Sequence, residues 1–237
     1  MDLTSLLAGR VLWRVTENIE RRSHVWFNRP ARVVGTWRSA SVVEVSERIV
    51  EGPFVHARVR GPRVLDVGST ESLLALELAS LGYDVTALDV RGYPLRHARI
   101  TSVSEDIRTT SFPDGRFDTV VALSTVEHVG LGFYGEPVDR DGDRRAVLEI
   151  RRVTARGGRF LLTVPFGRAV TMPGHRVYDR DRLTRLIEGW DVEELVCVRR
   201  EGPTSWLPAA PGDAETVDSS VNAAAVALVN LRRPSTD

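Results

Sequence analysis

The sequence predicts an α/β fold: a three-layer sandwich in which helices cover both faces of a mostly parallel, seven-stranded sheet. From residue 63 onwards, short apolar runs alternate with stretches whose leucines and other apolar residues follow helical spacing. Glycine and proline separate several of these segments. Strands that alternate with helices build βαβ units, in which the strands lie parallel. We expect only the last strand to run antiparallel.

The first strand and helix are the most clearly marked. Residues 63–68 form a short apolar run that ends in Gly68, which is typical of a buried strand. Residues 71–81 carry five leucines at spacing compatible with a helix, and Gly82 is the expected end of that helix.

The same reasoning gives the remaining elements. The pair Gly157-Gly158 closes a charged amphipathic helix, and Pro165 ends the strand that follows it. The predicted strands are 84–90, 100–103, 117–124, 159–164, 192–198 and 221–231, and the predicted helices are 143–155 and 181–188.

Residues 1–60 differ in texture from the rest of the chain. They contain three of the five tryptophans, Trp13, Trp26 and Trp37, and show only weak helical periodicity. We predict a helical or irregular cap over residues 1–60, packed on a main domain of residues 61–237.

Composition excludes several classes of function. The 32 basic and 32 acidic residues balance, so the molecule as a whole does not attract nucleic acid or an anionic membrane. The single cysteine, Cys197, allows neither an intrachain disulfide nor a cysteine-rich metal site. The longest apolar stretch, 223–229, is too short to span a bilayer, and Asp2 and Arg10 argue against a signal peptide. These observations favour a cytoplasmic protein.

Two residues at predicted strand ends indicate the ligand. Parallel sheets bind ligands beyond the carboxyl ends of their strands. Gly68 would let the backbone turn tightly there, and Asp89, 21 residues later, closes the next strand. An acid at this spacing typically accepts hydrogen bonds from a ribose diol, so the pair predicts an adenosine-type ligand.

The loop after Gly68 helps to decide which of two adenosine-containing ligands is bound, a nicotinamide dinucleotide or S-adenosylmethionine. A nicotinamide dinucleotide site requires G-x-G-x-x-G, whereas the corresponding positions here are Gly68, Thr70 and Leu73. Glu71 adds a negative charge beside the helix start, which would repel a pyrophosphate. S-adenosylmethionine (SAM) carries a sulfonium cation and no phosphate. The loop therefore favours SAM over NAD.

Residues 63–167 resemble the class I SAM-dependent methyltransferase family, and the similarity extends over 63–232 if the later strands are included. The first family motif is acid-x-Gly-x-Gly-x-Gly, where this chain has Thr70 and Ser72 in place of the second and third glycines. The resemblance implies a Rossmann-like fold with SAM as cofactor. The SAM-binding residues that it implies are Asp66, Gly68, Ser69, Thr70 and Ser72 in the first loop, Asp89 and Val90 at the ribose, Asp106 and Ile107 at the adenine, and Ser124 and Glu127 after the fourth strand.

A narrower similarity involves the segments 127–135, 141–143 and 175–179. They resemble a bacterial group of methyltransferases that is associated with polysaccharide or natural-product gene clusters. This likeness implies a small-molecule acceptor, sugar-like or a natural product, that is methylated on oxygen or nitrogen. We expect no nucleic-acid or membrane partner, and a homodimer is left open.

Candidate catalytic residues follow from the chemistry of the acceptor. A hydroxyl must lose a proton on methylation, so a general base helps, whereas an amine need only be unprotonated. His128, just beyond the fourth strand, is the first candidate base. His175 and Tyr178, after the fifth strand, are further candidates for catalysis or substrate contact. The alternatives are purely structural roles: His128 would support the backbone, and His175 and Tyr178 would pack within their loop.

An acidic loop and a Pro- and Ala-rich segment complete the candidates. Asp139, Asp141 and Asp143 are interpreted as a solvated loop with Asp143 as helix N-cap; a divalent ion or contacts to a polyol are the alternative. No resident metal is predicted. Residues 201–219, with Trp206, are expected to wall the acceptor pocket.

Two other functions stay open at this point. One is a nicotinamide-dependent oxidoreductase, and the other is a non-catalytic SAM-binding partner of another enzyme. Ser124-Thr-Val-Glu127 lacks the Asn/Asp-Pro-Pro-aromatic motif that is usual in nucleic-acid amino-methyltransferases, which argues against a nucleic-acid acceptor.

Overall fold

A computed structural model describes residues 30–34 and 42–236 of the chain. The strands are β1 Ala31–Val34, β2 Val42–Val45, β3 Arg63–Val67, β4 Asp84–Leu88, β5 Ile100–Val103, β6 Phe117–Leu123, β7 Thr154–Pro165, β8 Val170–Thr171, β9 Arg176–Val177, β10 Asp191–Glu201, β11 Ser205–Ala209 and β12 Ala225–Arg232. The α-helices are α1 Arg48–Arg58, α2 Leu74–Ser80, α3 Gly142–Val153, α4 Arg180–Leu186 and α5 Pro211–Glu215, and 3₁₀ turns lie at Ser69–Glu71 and Val126–His128.

The main sheet confirms the predicted α/β fold. Its strand order is β11-β10-β12-β7-β6-β3-β4-β5. Strands β5, β4, β3, β6 and β7 pair in parallel, and β12, the last strand, is antiparallel to both β7 and β10. The connections reverse direction at β3, which has β4 on one side and β6 on the other. The ligand crevice is therefore expected beyond the ends of β3 and β6.

The sheet has eight strands rather than the predicted seven. Residues 205–209, which were expected to form part of a loop, make β11 and pair antiparallel with β10. Because β10 runs in the same direction as β7, its end at Glu201 lies at the crevice edge, and β11 turns back from that edge. Trp206 is buried, and its indole N–H donates to Val45 O at 3.0 Å. It packs against the α1 side of the sheet instead of walling a pocket.

Two element boundaries differ for identifiable reasons. The helix predicted from residue 71 begins only at Leu74, because residues 69–71 turn as a 3₁₀ segment and Ser72 Oγ accepts from Leu74 N–H at 3.0 Å. The strand predicted from residue 159 begins at Thr154, since Gly157 and Gly158 are accommodated within β7.

Two apolar cores cover the faces of the sheet. Helices α1 and α2 pack on one face through residues such as Phe54, Val55 and Leu78, and α3 and α4 pack on the other through Ile150 and Leu183. Val64 and Leu65 on β3 face opposite cores, as strand geometry requires. No helix in the described residues is long and apolar enough to cross a membrane.

Part of the predicted cap belongs to this body. Within residues 1–60, the structure describes the antiparallel strand pair β1–β2 and the whole of helix α1. Strand β2 is anchored to the β10–β11 turn, where Val45 N donates to Pro203 O at 2.8 Å and Arg200 pairs with Glu44 at 2.8 Å. Residues 1–29 and 35–41, with Trp13, Trp26, Trp37 and His24, lie outside the described residues.

Candidate active site

A pocket opens at the carboxyl ends of β3, β4 and β6, where the strand order reverses. It brings together most of the residues that the sequence predicted for SAM and for catalysis. The predicted residues that line it are Gly68, Ser72, Asp89, Val90, Asp106, Ile107, Ser124 and His128.

Gly68 forms the tight turn at the floor of the pocket. Its φ is 77°, in the left-handed region that favours glycine. A Cβ at this position would lie 2.4 Å from the Thr125 side chain, so no other residue fits without displacing Thr125. The first glycine of the motif is therefore required by both conformation and space.

The residues that replace the other two motif glycines tie the loop to its surroundings. Thr70 N–H donates to Asp89 Oδ2 at 3.2 Å, and Thr70 Oγ1 donates to Gly92 O. Ser72 caps α2. Ser69 is fully buried, and neither Ser69 nor Thr70 lines the pocket. These contacts show how the strand–turn–helix forms without the glycines.

Asp89 lies in the pocket with its carboxylate already bonded. Oδ1 accepts from the backbone N–H of Arg91 at 2.9 Å and from its Nε at 3.2 Å. The same guanidinium pairs with Glu71 at 2.6 Å and lies 4.5 Å from the centre of the Tyr134 ring. The Glu71 charge is therefore partly compensated, although two carboxylates still surround one guanidinium.

Asp106 and Ile107 form another wall. Hydrogen bonds from the Arg108 guanidinium lower the pKa of Asp106, which keeps this carboxylate ionised and able to accept an amine hydrogen. Ile107 is 6% exposed and belongs to the same apolar cluster as Val67 and Leu88, which also line the pocket. An acceptor carboxylate beside an apolar surface suits a purine with an exocyclic amine.

Sequence reasoning missed two residues of α1: Arg48, which lines the pocket, and Glu51, which bonds to Arg48. Glu51 is fully buried, and its Oε1 accepts from Ser124 Oγ at 2.6 Å and from Thr163 Oγ1 at 2.7 Å. Its Oε2 accepts from Arg48, whose side chain lines the pocket. The only sequence signal was an acidic residue three and four positions before the apolar Phe54 and Val55.

Ser124 shows why this support matters. Among the described residues it alone combines a side chain with positive φ, at 44°. Such a conformation costs on the order of 1 kcal/mol and persists only where the surroundings hold it. The hydroxyl bond to Glu51 and the bond from Ser124 N–H to Thr163 Oγ1 at 2.9 Å hold it here.

His128 lines the pocket as a neutral imidazole with a fixed tautomer. Its Nδ1 lies 2.5 Å from Gly174 O. Because a carbonyl oxygen only accepts, Nδ1 carries the hydrogen and Nε2 is the unprotonated nitrogen. Burial lowers the pKa of His128, against the opposing effect of the Gly174 hydrogen bond. The ring is thus ready to accept a proton near neutral pH.

The remaining predicted residues do not line the pocket. Tyr178 is 2% exposed, and its hydroxyl donates to Asp143 Oδ2 at 2.9 Å; burial raises its pKa well above the usual value. His175 Nε2 lies 3.3 Å from Ser219 O. Glu127 is buried behind His128, with its Oε1 3.8 Å from His128 Nε2, and burial raises the pKa of this carboxyl as well. The geometry therefore leaves His128 as the one of the three predicted catalytic side chains that lies in the pocket.

The acidic loop has a structural role. Asp141, not Asp143, is the N-cap residue of α3, and it makes no side-chain capping bond. Asp143 lies in the first turn, buried against Tyr178. No group of three or more His, Cys, Asp or Glu side chains that could hold a metal occurs among the described residues.

Asp66, below the pocket, predicts a pH dependence of stability. Burial, with the Asp89 charge second, raises its pKa from 3.8 to about 7. The unfolded chain gives up this proton more easily, so the contribution to the free energy of unfolding is full below about pH 4 and is lost as pH rises to 7. The difference amounts to about 4 kcal/mol. Asp66→Asn should remove this part of the fall and leave the part that the buried Glu127 carboxyl contributes, as measured by urea unfolding at about pH 5 and pH 8. Asp84→Asn, an exposed change on β4, should keep it; equal slopes in both variants would contradict the assignment.

The sequence is similar to one family model and to curated methyltransferases. Residues 92–206 match the family described as "Caenorhabditis protein of unknown function, DUF268". The ubiquinone biosynthesis O-methyltransferase of Azotobacter vinelandii is 31% identical over 120 residues, which is 46% of this chain and 49% of that protein. The enzyme of the same name from Xanthomonas campestris pv. campestris is 40% identical over 88 residues, 32% of this chain and 37% of that protein. The matched segment thus spans less than half of these relatives.

Solved structures with similar folds include three of interest. The Burkholderia thailandensis 1,6-didemethyltoxoflavin-N1-methyltransferase, with S-adenosylhomocysteine bound, has a TM-score of 0.54 at 15% identity and covers 78% of this chain and 77% of its own. A SAM-dependent methyltransferase of Methanosarcina mazei has a TM-score of 0.54 at 17% sequence identity, and the match covers 77% of this chain and 97% of that one. The [4+2]-cyclase SpnF has a TM-score of 0.55 at 18% sequence identity, and the match covers 78% of this chain and 81% of that one. The chain has the Rossmann-like fold of the class I SAM-dependent methyltransferases.

Proposed function

We propose that this chain is a SAM-dependent methyltransferase that methylates a hydroxyl of a small-molecule acceptor, with His128 as general base. The observation that carries the proposal is the fixed neutral tautomer of His128 in the pocket that also holds Asp89 and Asp106. SAM, when bound, supplies a methyl group that its sulfonium already activates. The protein then has to align the acceptor and take its proton.

The pocket offers a partner for each part of SAM. Asp89 would accept from the ribose hydroxyls, replacing or sharing its bond with Arg91 Nε. Asp106 would accept from the adenine amine, with Ile107 against the ring. Arg48 supplies positive charge for the methionine carboxylate, and Glu51 holds it in position. Nothing in this set requires the pyrophosphate that a nicotinamide dinucleotide would bring.

The position of the base favours oxygen over nitrogen as the methylated atom. An amine acceptor needs only to arrive unprotonated, whereas a hydroxyl gains from a base that removes its proton. His128 Nε2 accepts that proton, and the ring then carries a positive charge. The buried Glu127 carboxyl lies 3.8 Å away, close enough to interact with that charge. Polar side chains along the wall, Ser124, Thr125 and Glu136, suit a polar, sugar-like acceptor or natural product.

Calorimetry on two carboxylate variants tests the cofactor part. The wild type should bind SAM and S-adenosylhomocysteine but not NAD. Asp89→Asn should weaken SAM binding by about 10- to 100-fold, because a charged hydrogen-bond acceptor is worth about 1.5–3 kcal/mol. Asp84→Asn, at the other end of β4, is the matched control and should leave the Kd unchanged. Tight NAD binding, or equal SAM affinity in both variants, would refute this cofactor assignment.

An acceptor screen read by mass spectrometry tests the reaction. Hydroxyl-bearing sugars and natural products, with matched amines, are incubated with SAM and the full chain. A gain of one methylene unit on a hydroxyl acceptor supports the proposal. Gain only on amines would move the methylated atom to nitrogen, and SAM binding without any product would favour a non-catalytic SAM-binding protein.

A further inference from the structure

One buried arginine contacts both ends of the loop that carries His128. Arg176, on β9, is 5% exposed. Its Nη1 donates to Val129 O at 2.8 Å and to Glu127 O at 3.2 Å. Its Nη2 donates to Arg140 O at 3.3 Å and to Asp139 O at 3.5 Å. Four backbone carbonyls, two from each end of residues 127–140, thus converge on one guanidinium.

The loop ends also approach each other closely. Asp139 N–H donates to Gly130 O at 2.8 Å, and a Cβ on Gly130 would lie 2.4 Å from Asp139 O. Between these ends lie Tyr134 and Glu136, which line the pocket. The loop is therefore a closed unit whose base is fastened by Arg176.

The strand pair β8–β9 supplies a second fastening. Gly174, in the turn between these strands, provides the carbonyl that fixes the His128 tautomer. Arg176 Nε lies 3.5 Å from Asp143 Oδ2, and Asp143 in turn accepts from Tyr178. The segment 174–178 thus holds the His128 ring, the loop backbone and the start of α3 together.

We propose that Arg176 is a positioning residue that sets the 127–140 loop, and with it His128 and Tyr134, at the pocket. The consequence for catalysis rests on the proposed function, in which His128 is the base. A lysine cannot replace it, because a single ammonium cannot reach carbonyls on both sides as a planar guanidinium does.

Hydrogen exchange of the loop tests this inference without any acceptor. Peptides covering 127–140 are followed by mass spectrometry in wild type, Arg176→Lys, Arg176→Ala and Arg152→Ala. Arg152 is the matched control, since it too donates to backbone carbonyls, those of Phe112 at 2.8 Å and Thr110 at 3.3 Å, away from this loop. We expect at least about tenfold faster exchange in both Arg176 variants and unchanged exchange in the control.

Chemical rescue separates positioning from general destabilisation. Millimolar guanidinium, far below denaturing concentrations, should restore slow exchange in Arg176→Ala by occupying the vacated site. If Arg176→Ala does not fold, Arg176→Lys carries the same comparison. Equal loop exchange in Arg176→Lys and wild type, or an equal increase in Arg152→Ala, would overturn the proposal.

Kinetics distinguish this inference from the proposed function. With a competent acceptor, Arg176→Lys should lose about tenfold or more in kcat with a smaller change in KM for SAM, as expected when a reactive group is misplaced. If His128 is not the base, a His128 variant will retain turnover while Arg176→Lys still loosens the loop. If Arg176 does not position the loop, the His128 variant alone will be impaired.

Discussion

Replacing His128 with glutamine is expected to lower kcat by about 100- to 10,000-fold, the range that a general base contributes. The glutamine amide corresponds in position to Nε2 of the ring and not to Nδ1, which contacts Gly174 O, so hydrogen exchange of residues 127–140 should be compared with wild type to show that the loop keeps its course. Glutamine cannot accept a proton near neutral pH. SAM affinity, measured by calorimetry, should stay within about threefold of the wild type, because the ribose and adenine contacts lie elsewhere in the pocket.

The pH dependence of the reaction rate is an independent test of His128 as the base. Because burial lowers the pKa of His128 below 6.5, the ring stays neutral down to more acidic pH than a free histidine. The wild-type rate should therefore fall on an acid limb that lies below pH 6.5, and His128→Gln should lack that limb. His97→Gln is the control, since this histidine bonds to Arg99 N–H before β5 and does not line the pocket, and it should keep both rate and limb. Turnover by His128→Gln within about threefold of the wild type would rule out a base at this position.

Replacing Glu51 with alanine is expected to lower the free energy of unfolding by about 3–5 kcal/mol. The change removes the Glu51 carboxylate that pairs with Arg48, whose side chain is only 19% exposed, and it removes the acceptor for the Ser124 and Thr163 hydroxyls. Denaturant unfolding measures the loss. Glu77→Ala is the matched control: this glutamate pairs with His56 on the surface, so its loss should cost less than about 1 kcal/mol.

A double replacement separates the charge from the packing. Arg48→Met with Glu51→Leu removes both charges, and such exchanges are often neutral for stability. We expect the double variant to recover the part of the loss that comes from the Arg48 charge, but not the part that comes from the Ser124 and Thr163 hydroxyls, which leucine cannot bond. It should bind SAM weakly, because no cation faces the carboxylate. A loss below about 1 kcal/mol in Glu51→Ala would show that the buried carboxylate does not support the wall.

The predictable part of the site is the part that local sequence encodes. Gly68 and Asp89 stand at the ends of adjacent strands, so strand pattern and spacing were enough to place them together. Arg48 and Glu51 could not be found in this way. The two hydroxyls that bond to Glu51 lie 73 and 112 residues away along the chain, and only the packing of α1 on the sheet brings Glu51 near Ser124 and Thr163.

Other differences between prediction and structure lie where the composition of a segment does not indicate its geometry. Residues 201–219 are rich in Pro, Ala and Gly, yet 205–209 pair as an edge strand in which Trp206 is buried and donates to Val45 O. Tyr178 follows a strand that ends at the pocket edge, but its side chain turns to Asp143 inside the molecule. Residues 1–60 are predicted as a cap packed on the main domain, but Arg48, Glu51 and Phe54 lie within this range. We therefore expect a truncation of residues 1–55 to remove a pocket wall.

The long reach of the Glu51 contacts has a consequence for heat denaturation. A pocket wall assembled from α1, β6 and β7 exists only while the centre of the sheet is intact, so the site should not melt before the rest of the domain. A ligand that binds this wall then stabilises the whole domain by mass action, by about 2.7 kcal/mol at a hundred times its Kd. Thermal shift with candidate ligands would therefore report occupancy of the pocket through the melting of the entire sheet.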